Sequence, residues 1–346
     1  MEYFSTTTRG LEEFSKNEII FILVNSKIKN ISYRKVIFSF DGDLKEIFKL
    51  SSVEDVFCLL GEIHNVGHTK DSLNILTDRI CELDFKKHLN IISKIRKTKV
   101  NEFSISSSSV GKRNYSYVEV KENLSKKLKN KLELKYKDEK HDIFDIRIFI
   151  EHNKALVGVR LNDKPLHRRS YKIKTSKATL QADVAYVMSI LAEINKDDII
   201  LDPMCGSGTI LIESSIFKPK NILGGDINNE TVSIAQKNIE FFNPLLDIKV
   251  KEWDARKLPF KENSINKIIC NLPFGKQIEV GLINDFYLKT IEEFLRVIKI
   301  NGKIILLTSN FEELNNIIKQ KKLNIKSKHE ISLNGKIACI YVIQKN

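Results

Sequence analysis

Asp198-Ile199-Ile200-Leu201-Asp202-Pro203-Met204-Cys205-Gly206-Ser207-Gly208-Thr209 reads as a buried strand that delivers a carboxylate at its end, followed by a glycine turn that opens a helix at Thr209. Three further signals follow in order. Asp226 ends the next apolar run, Asp254 the one after, and Asn271-Leu272-Pro273-Phe274-Gly275 follows the fourth. A doubly wound α/β sheet presents its strand ends to a ligand in this way, so the four together define the fold class.

Each signal carries its own chemistry. Gly206 and Gly208 admit positive φ and close backbone approach, and the helix from Thr209 aims free N–H groups at a ligand, so Met204, Cys205, Gly206, Ser207, Gly208 and Thr209 are expected to wrap a cofactor above Asp202. Taken alone, the turn could equally be a tight strand-to-helix connection. A dinucleotide fingerprint would carry glycine where Leu211 stands, and the Gly-Lys-Ser/Thr of a phosphate-gripping loop is absent. Asp226, about 20 residues after the turn and followed by Ile227, can accept from both hydroxyls of a ribose, or cap the helix that begins near Glu230. Asp254, followed by Ala255, can accept from an adenine amine, or serve as a solvated loop acid. Together they describe a pocket for an adenosine without phosphate, which suits S-adenosylmethionine better than NAD or ATP.

The fourth signal speaks to the reaction. An exocyclic purine amine is a poor nucleophile because its lone pair is delocalised into the ring. Two acceptors on its two hydrogens hold it and favour pyramidalisation; the Asn271 side chain supplies one and the Leu272 carbonyl can supply the other. Pro273 stiffens the turn, and Phe274 offers a ring face to a base taken out of its stack. The bland alternative is a proline turn beside a core phenylalanine.

These motifs resemble those of class I S-adenosylmethionine-dependent amino-methyltransferases, whose usual fourth signature is Asp/Asn-Pro-Pro-Tyr/Phe; Leu272 replaces the first proline here. The variant Asn-Leu-Pro-Phe-Gly-Lys is similar to that of THUMP-containing tRNA guanine-N2 methyltransferases acting on the acceptor stem. Leu166-His167-Arg168-Arg169-Ser170-Tyr171, followed by Lys177-Ala178-Thr179-Leu180, is similar to that family's junction before its catalytic domain. The opening Tyr3-Phe4-Ser5-Thr6-Thr7-Thr8-Arg9-Gly10-Leu11-Glu12-Glu13 is similar to its N-terminal start. The resemblance implies a cofactor site that includes Thr179 and Leu180, a catalytic motif over 271–274, RNA contacts at Lys112, Arg113, Arg168 and Arg169, and N2-methylguanosine at position 6 of tRNA. Runner-up readings are another tRNA guanosine, a ribosomal guanine, a glutamine side chain, or a non-catalytic RNA-binding protein with a vestigial pocket.

Composition agrees independently. The 346 residues carry 57 Lys+Arg against 44 Asp+Glu, a net +13 that favours a polyanionic partner or else reflects a solvated lysine-rich surface. Cysteines 58, 81, 205, 270 and 339 form no CxxC or CxxH pair, so they read as buried free thiols in a reducing cytoplasm. His64 and His68 lack a third ligand, so no metal is expected, and neither a signal sequence nor a membrane-length apolar run is present. The expected protein is a cytoplasmic monomer that binds tRNA, with the need for a small activating subunit left open.

Three regions are expected. Residues 1–65 read as strand, helix from Leu11, strand over 36–40, helix from Leu44 and a closing strand, a ferredoxin-like α/β sandwich. Residues 66–165, which the resemblance names the THUMP module, read as a helix over 88–97, a strand over 102–106, a basic loop at Gly111-Lys112-Arg113, a helix over 118–134 and an edge pair of strands over 143–151 and 155–161. Leu124, Leu128 and Leu132 give that last helix one apolar stripe, and between 121 and 140 eight lysines face four acids. Residues 170–346 form the Rossmann-like methyltransferase domain. It closes with an antiparallel hairpin about Asn334-Gly335, the strongest short hairpin signal.

Overall fold

The computed structural model describes residues 1–138, 143–174, 179–273, 283–333 and 335–346. The chain divides into two compact units, one of residues 1–7 and 15–166, the other of residues 8–14 and 167–346.

The first unit is built on one eight-stranded sheet. Its strands are β1 (Glu2–Thr6), β2 (Lys27–Ser32), β3 (Lys35–Ser39), β4 (Asp55–Ile63), β5 (Glu102–Val110), β6 (Lys135–Tyr136), β7 (Phe144–Glu151) and β8 (Lys154–Arg160), in the order β2-β3-β1-β4-β8-β7-β5-β6. Its helices include α1 (Glu12–Ile22, the part from Ser15), α2 (Lys70–Cys81), α3 (Phe85–Arg96) and α4 (Tyr117–Leu132). Leu44–Lys49 is a 3-10 turn rather than a full helix. A single apolar core joins Phe38 and Val56 to Phe103, Leu124, Leu128 and Phe144, so the sheet and its core run through both 1–65 and 66–165. Helix α4 starts on a reciprocal capping box between Ser116 and Glu119. The strands expected at a sheet edge, β7 and β8, instead lie at its centre between β4 and β5. Every residue from Ala155 to Arg160 is buried: β4 and β7 pair with β8 on both sides, Ala155, Val157 and Val159 pack into the main core, Leu156 packs with Phe4 and Phe57, and Arg160 pairs with Asp55 and Asp145.

The second unit has a seven-stranded sheet of order β11-β10-β9-β12-β13-β15-β14. The strands are β9 (Ile199–Asp202), β10 (Asn221–Asp226), β11 (Ile248–Glu252), β12 (Ile265–Asn271), β13 (Ile298–Thr308), β14 (Asn324–Leu333) and β15 (Lys336–Gln344). The first five are mutually parallel and β15 runs antiparallel to both neighbours. Leu333 pairs with Lys336, so β14 and β15 are joined by two residues, of which Asn334 lies outside the described residues and Gly335 has φ +80°. Among the described residues its helices are α5 (Ala182–Leu191), α6 (Thr209–Ser215), α7 (Asn229–Phe242), α8 (Ile283–Val297) and α9 (Phe311–Gln320). In β12 and β13, Ile268, Cys270, Ile304 and Leu306 pack into one core while Ile269, Ile305 and Leu307 pack into another. Both faces are therefore covered, which is why these strands read as continuous apolar runs rather than alternations. The strand order reverses between β9 and β12, and in an open α/β sheet the crevice at such a switch point is where ligands bind. Among the described residues no helix is long and apolar enough to cross a membrane, and no group of three His, Cys, Asp or Glu could hold a metal ion.

Candidate active site

A cleft of about 450 Å³ opens at the switch point. Its walls come from the carboxyl ends of β9, β10 and β12, the glycine turn and the loop after β11. The cleft gathers Thr179, Leu180, Asp202, Met204, Cys205, Gly206, Ser207, Thr209, Asp226, Ile227, Asp254, Ala255, Asn271 and Pro273, residues spread over 95 positions of sequence.

The glycine turn is shaped by two positive φ angles, +51° at Gly206 and +83° at Gly208, which other residues adopt only with strain. Gly208 caps α6 and faces α7, where an added Cβ would stand 3.3 Å from Ala235, so it shapes the turn without lining the cleft. The turn is tied to β10 by Asp226, whose Oδ2 accepts from Gly206 N at 3.1 Å and whose Oδ1 accepts from Asn228 N at 3.0 Å. The cap of α7 is Asn228, accepting from Glu230 N and Thr231 N, so Asp226 is not the helix cap. Below it, Gly225 lies under the Trp253 indole: a Cβ there would fall 2.0 Å from Trp253 Cε2, and the indole Nε1 donates to Pro203 O at 3.2 Å.

The carboxylates differ in electrostatics. Burial pushes Asp202 well above the usual carboxylate range and the nearby Asp226 charge adds to that, while the Met204 N–H, 3.3 Å from Oδ1, opposes it. Hydrogen bonds from Arg256 hold Asp254 below its ordinary value; Nε meets Oδ1 at 3.0 Å and Nη2 meets Oδ2 at 2.7 Å. Arg256 also stands over the Phe286 ring, 5.7 Å from its centroid. Burial drives the Cys205 thiol far up, which makes it an apolar wall rather than a nucleophile.

Asn271 ends β12. Its side-chain oxygen is buried and, among the described residues, has no hydrogen-bond partner; the same holds for the Thr209 hydroxyl. A buried acceptor without a donor costs free energy unless a ligand supplies one. Leu272 puts its side chain wholly into the core beneath the sheet, so any part it takes in the site is through its backbone. Phe274 lies outside the described residues, as do Lys177 and Ala178 of the junction.

Four lining residues lie beyond what the motifs predict: Pro203, Ile210, Thr231 and Phe286. The first two sit beside anticipated residues, and Thr231 falls on the first turn of the helix that follows Asp226. Phe286 carries no local signal; only the packing of α8 brings it to the cleft.

The four basic positions separate by partner. Lys112 and Arg168 are exposed. Arg113 donates to Gly67 O at 3.1 Å and also to His152 O, and Arg169 Nε lies 3.1 Å from Glu213 Oε1, a carboxylate that also accepts from Tyr171 Oη at 2.6 Å. Lys112 and Arg113 belong to the first unit, Arg168 and Arg169 to the second.

A parallel sheet closed by an antiparallel hairpin, with a cleft of about 450 Å³ at its switch point and Asn-Leu-Pro at its fourth strand end, defines a class I methyltransferase domain. Residues 169–342 match the family UPF0020, the RMKL-like methyltransferase domain, and the chain belongs to that family. Over 99% of its length it is 25% identical to the whole of a Methanocaldococcus jannaschii protein named tRNA (guanine(6)-N2)-methyltransferase. Over 48% of the chain it is 33% identical to 32% of the Bos taurus U6 snRNA (guanine-N(2))-methyltransferase THUMPD2. Among solved structures, TrmN from Thermus thermophilus shares the fold across 100% of this chain and 99% of its own, with TM-score 0.81 and 19% identity. SMU.472 complexed with SAH shares it across 100% and 98%, with TM-score 0.77 and 18% identity.

Proposed function

We propose that this methyltransferase uses S-adenosylmethionine to form N2-methylguanosine in tRNA, at position 6 of the acceptor stem. The observation that carries the reading is the buried side-chain oxygen of Asn271, without a partner among the described residues, on the wall of a cleft that also holds Asp226 and Asp254. The full-length relative named for guanine(6)-N2 methylation of tRNA supports the substrate.

The donor set fits the cofactor. Asp226 accepts from the ribose hydroxyls, Asp254 from the adenine amine, and the turn over 204–209 closes on the remainder. When bound, S-adenosylmethionine supplies a methyl group on a positively charged sulfonium. Asn271 Oδ1 and the Leu272 carbonyl accept the two hydrogens of the guanine amine and aim its lone pair at that methyl, so catalysis is mainly positioning. An amide is not a base, and the displaced proton passes to water.

Residues 1–65 and the THUMP module of 66–165 form the RNA-reading part, with Lys112 on phosphate and Arg113 bracing its loop; in the second unit Arg168 takes a phosphate and Arg169 braces the segment that carries it. The enzyme acts as a monomer. Its five cysteines are unpaired, four of them buried and Cys81, against expectation, only half-buried, which suits a reducing cytoplasm. A guanosine in another RNA is the second reading, favoured by the relative named for U6 snRNA.

The test is to incubate the protein with unmodified tRNA transcripts and methyl-labelled S-adenosylmethionine, digest the RNA, and identify the labelled nucleoside by mass spectrometry. Label in N2-methylguanosine that disappears when guanosine 6 is replaced supports the assignment. Label in any other nucleoside, or label that persists after replacement, overturns it.

A further inference from the structure

The segment from Asn271 to Pro273, which ends β12, is anchored at both ends. On one side, Leu272 N–H donates to Leu307 O at 3.0 Å, one rung beyond the paired residues Asn271 and Leu307 of the sheet. A proline, the usual residue at this position in the related signature, has no N–H and could not make that bond. On the other side, the Pro273 carbonyl accepts from the Tyr287 hydroxyl at 2.8 Å.

The proton order of this second anchor follows from donor counting. Tyr287 has one hydroxyl hydrogen, and a carbonyl can only accept, so that hydrogen is committed to Pro273. The Thr308 hydroxyl, 2.9 Å from the same phenol oxygen, must then donate to it. Thr308 Oγ1 in turn accepts from Asn310 N at 2.9 Å. The chain from Asn310 through Thr308 and Tyr287 to Pro273 therefore has a single direction. Tyr287 and Thr308 are both wholly buried, and neither Tyr287 nor Thr308 lines the cleft. Burial pushes the phenol up to about 12, so it remains a donor at any working pH.

With Leu272 N–H and Pro273 C=O both held, and the Pro273 φ fixed by its ring, the peptide between them has little freedom, and its carbonyl is the Leu272 oxygen. We propose that Tyr287 is a positioning residue for methyl transfer, acting through the Pro273 carbonyl to fix the Leu272 carbonyl and the Asn271 side chain in the orientation that aims the amine. Thr308 supports it by supplying the hydrogen that leaves the Tyr287 hydrogen free for Pro273. This rests on the function proposed above.

Tyr287→Phe removes one oxygen and keeps the ring in its core. The expected result is a single-turnover rate about tenfold or more below the parent, the scale of a misaimed reacting group, with affinity for S-adenosylhomocysteine and for tRNA within twofold. Thr308→Ser keeps the hydroxyl and should transfer at close to the parent rate, whereas Thr308→Val should slow transfer in the same direction as Tyr287→Phe. A second measurement does not depend on activity: hydrogen exchange at the Leu272 amide should accelerate in Tyr287→Phe and Thr308→Val but not in Thr308→Ser. Unchanged exchange, parental transfer by Tyr287→Phe, or an affinity loss as large as the rate loss would overturn the proposal. A parent that binds the cofactor but leaves guanosine unmethylated would count against the proposed function, and the exchange comparison would still decide whether Tyr287 holds the turn.

Discussion

Replacing Asp226 by alanine separates the bracing of the glycine turn, which the structure shows, from the ribose contact proposed for the same side chain. The carboxylate accepts from Gly206 N at 3.1 Å and from Asn228 N at 3.0 Å, so it braces the glycine turn even before a cofactor is considered. The residue is half-buried and water can reach the freed amides, so the loss of unfolding stability should be modest, about 1 to 2 kcal/mol. In the bound state proposed above, the same carboxylate would accept from the ribose. Losing charge-assisted bonds there should cost about 2 to 3 kcal/mol of binding, which at roughly 1.4 kcal/mol per decade is about a 30- to 150-fold weaker Kd. Titration calorimetry with S-adenosylhomocysteine measures the second quantity, and thermal unfolding without ligand measures the first. Asp226→Asn retains one acceptor and should fall between the parent and the alanine variant in affinity. Unchanged affinity in Asp226→Ala would refute the ribose assignment, whatever happened to stability.

Three other outcomes are expected. Gly225→Ala places a methyl where the Trp253 indole lies and should break its bond to Pro203 O, costing about 2 to 4 kcal/mol of stability by urea unfolding; an unmoved midpoint would contradict this packing. The Tyr287 phenol loses its proton near 10 when unfolded but holds it to about 12 when folded, so its stabilisation is complete below pH 10 and disappears between 10 and about 12. Melting temperature should therefore fall less steeply across that window in Tyr287→Phe than in the parent, and identical slopes would show that the hydroxyl is not buried as described. Affinity for tRNA should drop steeply with salt, and Lys112→Ala and Arg168→Ala should each lower the slope of log K against log salt by about 1; unchanged slopes would move the RNA contacts elsewhere.

The catalytic unit was legible in its strand ends. Parallel strands buried on both faces read as apolar runs, and Asp202, Asp226 and Asn271 interrupt those runs where the structure opens its cleft. The closing hairpin was equally plain, because two residues between apolar alternations leave few other choices. What escaped depends on non-local packing. Phe286 and Tyr287 sit side by side on α8, one lining the cleft and the other holding Pro273, and neither position differs in sequence from an ordinary core aromatic. The apolar stripe of α2, Leu73, Leu76 and Ile80 with Thr77 among them, was present in the sequence but diluted by polar neighbours. Strand β2, with no fully buried residue, offers almost no pattern. Alternation in β7 and β8 told of strands but not of their central place, since position in a sheet is set by partners far away in the chain. The resemblance likewise treated four basic residues alike, although Arg113 and Arg169 are occupied by protein acceptors.

Asn271→Ala tests the central claim most directly. The substitution removes the unpartnered side-chain acceptor and leaves the glycine turn, Asp226 and Asp254 intact. With cofactor and tRNA saturating, the single-turnover rate of N2-methylguanosine formation should fall by on the order of a hundredfold or more, while affinity for S-adenosylhomocysteine and for tRNA stays within twofold of the parent. Transfer at the parent rate would show that the guanine amine is not held by this residue, and positioning by the Asn271 turn could not then be the basis of the reaction.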